Sequence, residues 1–325
     1  MRRTAAVTGA AGYVGINLVS RLRELGWSLR TTDACPLYGV PLEGIEHVIA
    51  DVRDLDAMRA VFDGVEIVFH LAAHITLLAE DPEAWDVNAR GPGVVGAAAL
   101  EAGVRRLVHC SSVHAFDLAQ ARPRLTELSP RSVSPSRPLY DRSKWAGEVA
   151  LRDVVDKGLD ATIVNPTGII GPVDLGMSRM NAVIDAAARG HLPVVVHGGF
   201  DWVDVRDVAE GMVAAVDRGR TGENYLLGGN RASALHIGRL AAALNGHVGP
   251  VIAVPGHVAR WTAPTGEHIG RLFDSDVFTP ASIGTLLDDP IVDHGKARAE
   301  LGYRPRPLED TVRDTVRWFE GDPHL

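Results

Sequence analysis

The order of apolar segments along the chain is the strongest constraint on its fold. In the first half of the 325 residues, short apolar runs alternate with longer segments that repeat apolar residues at helical spacing. This alternation predicts βαβ units, and such units build a parallel sheet covered by helices on both faces. The predicted strands are 4–8, 27–33, 45–50, 65–70, 105–110 and 160–165, and the predicted helices are 12–25, 54–62, 85–102 and 141–157.

The pattern changes after Pro172, where frequent prolines separate short mixed segments. Such punctuation predicts a smaller, irregular lobe. A helical pattern over 203–216 and a strand over 224–227 indicate returns to the main sheet, so the two lobes interleave in sequence. We predict an α/β fold, with a doubly wound parallel sheet formed by 1–172 and 200–231 and a smaller mixed α/β substrate lobe formed by 173–199 and 232–325.

Composition narrows the class of protein. The net charge of −8 argues against a nucleic-acid binder, which carries a basic face. Two cysteines in a chain of this length, Cys35 and Cys110, are typical of reduced thiols. The lead of Met1 to Arg3 is too short for a signal peptide, and no apolar run is long enough to span a bilayer. We expect a cytoplasmic protein that acts on a small molecule, without nucleic-acid or membrane partners.

Three glycines lie between the first predicted strand and the first predicted helix. Gly9 permits a tight turn, Gly12 lets the backbone approach a pyrophosphate, and Gly15 lets the helix pack closely on the strand. The helix N-terminus then offers free N–H groups to the phosphates. The segment predicts the cofactor loop of a Rossmann dinucleotide-binding domain, with contacts from Gly9, Ala11, Gly12, Tyr13, Val14 and Gly15.

An acidic residue ends the second predicted strand. Asp33 follows the glycine loop by about 20 residues, where a carboxylate accepts hydrogen bonds from the adenosine ribose. Ala34 follows in place of an arginine that would hold a 2′-phosphate, which favours NAD over NADP, although Arg30 lies close in sequence. After the third strand, Asp51 and Val52 are candidates for the adenine site, or Asp51 caps the following helix.

Tyr140 and Lys144 are four residues apart on a predicted helix, which places them on one face. A nearby ammonium and a cationic nicotinamide would lower the pKa of the phenol toward a useful range for an acid–base group. Ser111 and Ser112 follow the fifth strand, at the sheet edge where α/β proteins bind ligands. Taken singly, the Tyr–Lys pair also fits a surface helix, and either serine also fits a turn cap.

Together these segments resemble the extended short-chain dehydrogenase/reductase superfamily, the NAD-dependent epimerase/dehydratase proteins, over nearly the whole chain. The matching segments are Thr8–Gly15, Asp51–Asp54, His70–Ala73, Asn88 with Gly91, Ser111–Ser112, Tyr140–Lys144, Asn165–Gly168 with Gly171–Pro172, and Val203–Ala209. The chain departs from the family at Ala115–Asp117, where Val-Tyr-Gly is common, and at Asn165, where many members have arginine.

The resemblance implies a role for each matching position. Tyr140 would be the general acid/base, Lys144 would tune it and bind the cofactor ribose, and Ser112 would orient the substrate oxygen. The remaining positions implied to line the cofactor are Leu71, Ala72, Ala73, Asn88, Asn165 and Pro166. The resemblance also implies a homodimer, formed by the small and apolar faces of helices 85–102 and 141–157.

The segments beside the predicted site point to a substrate class. No acidic pair follows Ser112, which disfavours a dehydratase, and 193–203 is apolar, aromatic and acidic rather than basic. We therefore expect hydride transfer between nicotinamide and a secondary alcohol or ketone of a small organic substrate, as in the dihydroflavonol-reductase and 3β-hydroxysteroid-dehydrogenase branch. The alternatives are a nucleotide-sugar 4-epimerase, with a phosphate clamp from Arg179, Arg231 and Arg271, and a non-catalytic NAD-binding regulator.

Histidines also lie near the ends of the predicted strands. His70, His74, His109 and His114 lack the spacing of a zinc site, so we expect no metal. The residues predicted to border the substrate are His74, His114, Asn165 and Trp202.

Overall fold

The computed structural model describes residues 3–38, 44–76, 78–250, 252–254 and 290–322. Its strands are β1 (Thr4–Thr8), β2 (Ser28–Asp33), β3 (Ile45–Ile49), β4 (Ile67–His70), β5 (Arg106–Cys110), β6 (Arg124–Leu125), β7 (Ala161–Pro166), β8 (Gly168–Ile170), β9 (Val194–Val196), β10 (Gly199–Asp204), β11 (Asn224–Leu227), β12 (Asn230–Ser233), β13 (Ile252–Val254) and β14 (Ile291–Val292).

The helices of these described residues follow the same chain order. They are α1 (Tyr13–Glu24), α2 (Leu55–Phe62), α3 (Pro82–Trp85), α4 (Gly91–Glu101), α5 (Leu139–Val155), α6 (Arg179–Ala188), α7 (Val205–Arg218), α8 (Ala234–Leu244) and α9 (Leu308–Phe319). The described residues also contain three short helical segments: π-helical turns at Asp86–Arg90 and Ala297–Leu301, and a 3-10 turn at Val113–Ala115. No helix in this part of the chain is long and apolar enough to cross a membrane.

The central sheet has seven strands in the order β11-β7-β5-β4-β1-β2-β3, and every pairing in it is parallel. The doubly wound α/β fold predicted from the strand–helix alternation is confirmed. The register aligns Thr8 with His70 and His70 with His109, so β1, β4 and β5 end at one edge. The loops that follow these strands therefore meet there, as ligand-binding loops of parallel sheets do.

Two apolar clusters sandwich this sheet. One face packs against α1 and α7 through residues such as Leu18 and Met212, and the other packs against α2, α4 and α5 through residues such as Phe62 and Leu151. Helical spacing places these side chains on the inward stripe of each helix. The sheet thus has helices on both faces, and its polar carboxyl edge is left for ligands.

The later part of the chain adds smaller sheets. β10 pairs antiparallel with β12 and parallel with β8, and a third apolar cluster lies between α6, α8 and α9. The predicted helix over 203–216 begins later, at Val205, because β10 continues through Asp204, whose side chain caps the helix by accepting from the backbone N–H of Arg206. The strand predicted at 224–227 is β11, and it joins the central sheet beside β7.

Candidate active site

The glycine loop between β1 and α1 is too crowded for side chains at two positions. Gly9 has a φ of +69°, and a Cβ there would lie 2.5 Å from the backbone nitrogen of Ala72. A Cβ on Gly15 would lie 2.2 Å from the carbonyl oxygen of Gly9. Gly12 precedes α1 and no side chain caps it, so the first N–H groups of the helix suit an anion. The loop therefore fits a dinucleotide pyrophosphate.

Asp33 lies beside this loop at the end of β2. Its Oδ2 accepts a hydrogen bond from the backbone nitrogen of Ala11 at 2.9 Å. Arg30 points elsewhere, because its guanidinium donates to Glu46 at 2.8 Å and to the carbonyl oxygen of Val61 at 2.9 Å. The structure thus brings Asp33 to the glycine loop and directs the nearby arginine away from it.

Asp51 and Val52 lie where β3 leaves the sheet. The guanidinium of Arg53 donates to both oxygens of Asp51 at 3.0 Å, and this contact lowers the pKa of the carboxyl group. Val52 is buried in the core. Asp54, not Asp51, caps α2, since its side chain accepts from two backbone N–H groups of the first turn. Capping therefore does not account for Asp51.

The loop after β4 carries Leu71, Ala72, Ala73 and His74, of which the last two are exposed. The buried side chain of Asn88 holds this loop by accepting from the backbone nitrogen of His74 at 2.8 Å and donating to its carbonyl oxygen at 2.8 Å. The same amide donates to the hydroxyl of Ser143 on α5 at 3.1 Å. Asn88 positions the loop relative to α5, and the backbone beside it is where the resemblance places the cofactor.

Ser112, Tyr140 and Lys144 come together at the carboxyl edge of the sheet. The Ser112 hydroxyl is near enough to Tyr140 to lower the pKa of its phenol. Lys144 lies on the buried stripe of α5, and its Nζ donates to the carbonyl oxygen of Cys110, the last residue of β5, at 3.3 Å. The Nζ is 6.0 Å from the centre of the Tyr140 ring. The spacing of Tyr140 and Lys144 in the sequence thus gives the single face that we predicted.

Burial controls the protonation of these groups. It raises the pKa of Tyr140, whereas the hydrogen bond from Ser112 lowers it. Burial also lowers the pKa of Lys144, although Cys110 and Glu148 oppose it. Burial thus raises the pKa of Tyr140 above its ordinary value and favours the neutral phenol. A bound nicotinamide would supply hydride chemistry and, in its oxidised form, a positive charge that favours the phenolate.

Asn165 lies at the end of β7 with no exposed surface. Its amide nitrogen donates to the carbonyl oxygen of Ser112 at 2.9 Å and to Glu148 at 2.7 Å, and its oxygen accepts from Asn224 at 2.7 Å. Neither Glu148 nor Asn224 was among the predicted site residues. The helical phase was a usable signal for Glu148, which lies one turn after Lys144 on the same buried stripe of α5.

His114 and Trp202, two further residues predicted to border the substrate, lie in different surroundings. His114 lies beside Tyr140, with ring centres 5.7 Å apart, and its Nδ1 is 3.0 Å from Oδ1 of Asp141. Trp202 is only 4% exposed, packs in the third apolar cluster and donates from Nε1 to the carbonyl oxygen of Ala232 at 2.9 Å. His114 is thus close to the acid–base hydroxyls, whereas Trp202 is a core residue of the later segments.

The remaining predicted site residues lie on several different elements. Tyr13 donates its hydroxyl proton to the carbonyl oxygen of Gly171 at 2.7 Å, and Val14 is half-buried in the first turn of α1. Pro166 is buried at the end of β7. Arg179 begins α6 and Arg231 lies on β12, whereas Arg271 lies outside the described residues.

Comparison with known proteins identifies the family. The model of the NAD dependent epimerase/dehydratase family matches residues 5–228. The chain belongs to this family. Epimerase/dehydratase proteins of this kind are the extended short-chain dehydrogenase/reductases that the sequence resembles, so the predicted family and enzyme class are confirmed: the chain is an NAD(P)-dependent oxidoreductase. The matched segment includes the glycine loop, Asp33, Ser112, Tyr140 and Lys144.

Individual members of the epimerase/dehydratase family cover the full chain. Sterol demethylase protein B of Methylococcus capsulatus is 33% identical over 97% of this chain and 98% of its own length. A putative dihydroflavonol 4-reductase of Synechocystis is 30% identical over 98% of this chain and 95% of its own. The crystal structure of gox2253 has a TM-score of 0.82 at 32% identity and covers all of both chains.

Proposed function

We propose that this enzyme interconverts a secondary alcohol and a ketone on an apolar, multi-ring organic substrate, with Tyr140 as the general acid/base. The convergence of Ser112, Tyr140 and buried Lys144 at the carboxyl edge of the sheet carries the proposal. In this arrangement Ser112 holds the substrate oxygen and Tyr140 exchanges a proton with it. Lys144 presents its ammonium to the cofactor ribose, as the family resemblance implies.

The environment of Asp33 supports NAD as the preferred dinucleotide. The Asp33 carboxylate lies beside the loop, where it would accept hydrogen bonds from the ribose hydroxyl groups and would repel a 2′-phosphate. Arg30 is held by Glu46 and Val61, and Arg53 by Asp51, so neither guanidinium is directed to Asp33. Asp33, the glycine loop, Asp51–Val52, Leu71–Ala73 and the backbone held by Asn88 form the proposed cofactor site.

The substrate class rests on the apolar character of the later segments and on the relatives. The segment 193–203 contains no lysine or arginine that would bind a diphosphate, and Phe200 on β10 is half-buried. Two relatives are named for sterol and dihydroflavonol chemistry, which is carried out on apolar ring systems. We propose that 173–199 and 232–325 form the substrate lobe, and that 1–172 and 200–231 form the dinucleotide lobe.

A panel assay tests this function. Purified enzyme is mixed with NAD and steroid or flavonoid alcohols, or with NADH and the matching ketones, and the NADH absorbance is followed. UDP-glucose and UDP-galactose are assayed in parallel by product analysis. We expect turnover of the ring alcohols or ketones, and a loss of about 100-fold or more in kcat for Tyr140→Phe. Turnover of the sugar nucleotides alone would instead support the 4-epimerase, and binding of NADH without any turnover would support a regulator.

We further propose a homodimer through α4 and α5. Several apolar residues of these two helices pack inside the chain and are not available to a partner: Val95, Ala98, Ala99, Leu151 and Val154. Val149 is 39% exposed on the outer side of α5 and remains a candidate contact. Light scattering of the wild-type protein and of Val149→Glu tests the proposal: we expect a dimer that the charge weakens, and a monomeric wild type would overturn it.

A further inference from the structure

His114 and Asp141 form a pair beside the catalytic hydroxyls that the roles of Ser112, Tyr140 and Lys144 leave unused. The Nδ1 of His114 is 3.0 Å from Oδ1 of Asp141. The backbone nitrogen of His114 donates to the Oγ of Ser112 at 3.2 Å, and its ring meets the Tyr140 ring edge-on. The pair therefore lies beside the Ser112 hydroxyl and the Tyr140 ring.

Asp141 leaves the second imidazole nitrogen available. A carboxylate that accepts from Nδ1–H fixes the tautomer and the ring orientation of a histidine. Within the described part of the chain, Nε2 of His114 has no hydrogen-bond partner. The His114 side chain is 25% exposed, whereas Lys144 is buried and its Nζ contacts the carbonyl oxygen of Cys110. His114 is thus more accessible to water than Lys144 is.

The charges around His114 favour its protonated form. Burial lowers the pKa of the imidazole, but the charge and hydrogen bond of Asp141 outweigh burial and raise this pKa above 6.5. Lys144, on the same helix, opposes the effect. The groups near His114 are Asp141, Tyr140 and Lys144 from α5, and Ser112 from the segment that follows β5. The carboxylate is the nearest charge.

We propose that His114, oriented by Asp141, relays protons between solvent and Tyr140; this relay rests on the function proposed above. In ketone reduction the reduced dinucleotide would supply the hydride, and the substrate oxygen would take the phenol proton of Tyr140. The His114 imidazolium then returns a proton to the tyrosinate through a bridging water, and neutral His114 takes a proton from solvent. Oxidation of the alcohol reverses each transfer.

The titration of His114 provides a test that does not depend on activity. NMR spectra of histidine-labelled enzyme are recorded across pH, and the His114 signals are assigned with His114→Ala. We expect a pKa above 6.5 in the wild type. In Asp141→Asn we expect a pKa below 6.5, because burial then acts without the carboxylate. A wild-type pKa below 6.5, or one that Asp141→Asn leaves unchanged, would overturn the relay.

The pH dependence of ketone reduction provides the second test. The relay needs protonated His114, so kcat should fall as pH rises through its pKa, and this fall should move to lower pH in Asp141→Asn. We expect kcat of His114→Ala to be about 10-fold lower, with partial recovery in added imidazole. His236→Ala, at an exposed histidine of α8, is the matched control.

The two proposals fail in different ways. An active wild type whose His114→Ala variant keeps the same kcat and pH profile overturns the relay alone. A wild type that turns over no alcohol or ketone overturns the proposed function, whatever the titration of His114 shows. Melting curves of each variant separate loss of the relay from loss of folding.

Discussion

The amide nitrogen of Asn165 lies 2.7 Å from a carboxylate oxygen of Glu148, and neither side chain has exposed surface. The same nitrogen donates to the carbonyl oxygen of Ser112. The contact joins α5, which carries Tyr140 and Lys144, to the segment that carries Ser112. A buried carboxylate thus fixes the relative position of the three proposed catalytic residues.

Replacing Glu148 with glutamine should both destabilise the fold and slow catalysis. Asn165 and Asn224 each donate a hydrogen bond to Glu148, and the guanidinium of Arg131 lies 3.5 Å from its carboxylate. In Glu148→Gln the new NH₂ group would face one of these amide donors. The Arg131 guanidinium would also lose the negative charge beside it. We expect a loss of about 2 kcal/mol in unfolding free energy, measured in urea, together with a lower kcat.

Glu24 provides the control for that substitution. Its side chain is 66% exposed and pairs with Arg21 only at the surface, so Glu24→Gln should leave stability and kcat unchanged. Equal stability of wild type and Glu148→Gln would show that the buried carboxylate does not organise the site.

Substitutions in the glycine loop should separate cofactor binding from folding. Gly12→Ala meets only the carbonyl oxygen of Gly9, at 3.3 Å, so we expect a nearly unchanged melting temperature but a large loss of NADH affinity, because the methyl group occupies the approach of the pyrophosphate. Gly176→Ala, an exposed glycine with open space around it, should change neither. Fluorescence titration with NADH measures the affinity, and unchanged binding by Gly12→Ala would place the phosphates elsewhere.

Asp33 should determine the dinucleotide preference. Asp33→Asn removes the carboxylate charge that strengthens hydrogen bonds from the ribose hydroxyl groups and repels a 2′-phosphate. We therefore expect the Kd for NADH to rise about 10-fold and discrimination against NADPH to decrease. Calorimetric titration with both dinucleotides measures the change, with exposed Asp63→Asn as the matched variant. A wild type that binds NADPH more tightly than NADH would contradict the preference for NAD.

Trp202 should behave as a structural residue. Trp202→Phe keeps an aromatic ring but removes the hydrogen bond from Nε1 to Ala232, which should cost about 1 kcal/mol of unfolding free energy and leave KM unchanged. Urea unfolding and steady-state kinetics test this. A raised KM with unchanged stability would instead support the sequence-based prediction that Trp202 borders the substrate.

Much of the fold was readable from sequence periodicity. The predicted bounds of β1 and α1 agree with the structure to within about one residue, because hydrophobic period and the glycine loop act locally. The predicted helix over 85–102 is less regular: a π turn covers Asp86–Arg90 before α4 begins at Gly91. Pro92 has no N–H to donate to the carbonyl oxygen of Asn88, so the regular hydrogen-bond ladder cannot continue there.

The site was only partly readable. The positions of Ser112, Tyr140 and Lys144 could be predicted from their spacing and from the family resemblance. Ser112 follows a strand end, and Tyr140 and Lys144 lie four residues apart on one helix. The partners Asp141, Glu148 and Asn224 could not be predicted in this way, since their contacts join segments distant in sequence: Glu148 meets Asn224 across 76 positions. Such pairs are set by how α5 packs on β5, β7 and β11, which a local pattern does not encode.

The position of β11 has a consequence for synthesis of the protein on the ribosome. β11 supplies Asn224, whose amide satisfies both Glu148 and Asn165, and it covers the edge of β7. A nascent chain that has emerged only as far as Pro172 contains Ser112, Tyr140 and Lys144, yet leaves that edge unpaired and lacks the Asn224 amide that donates to Glu148 and Asn165. The catalytic arrangement therefore becomes complete only after the chain has passed Leu227, and translation of the later segments precedes the first competent active site.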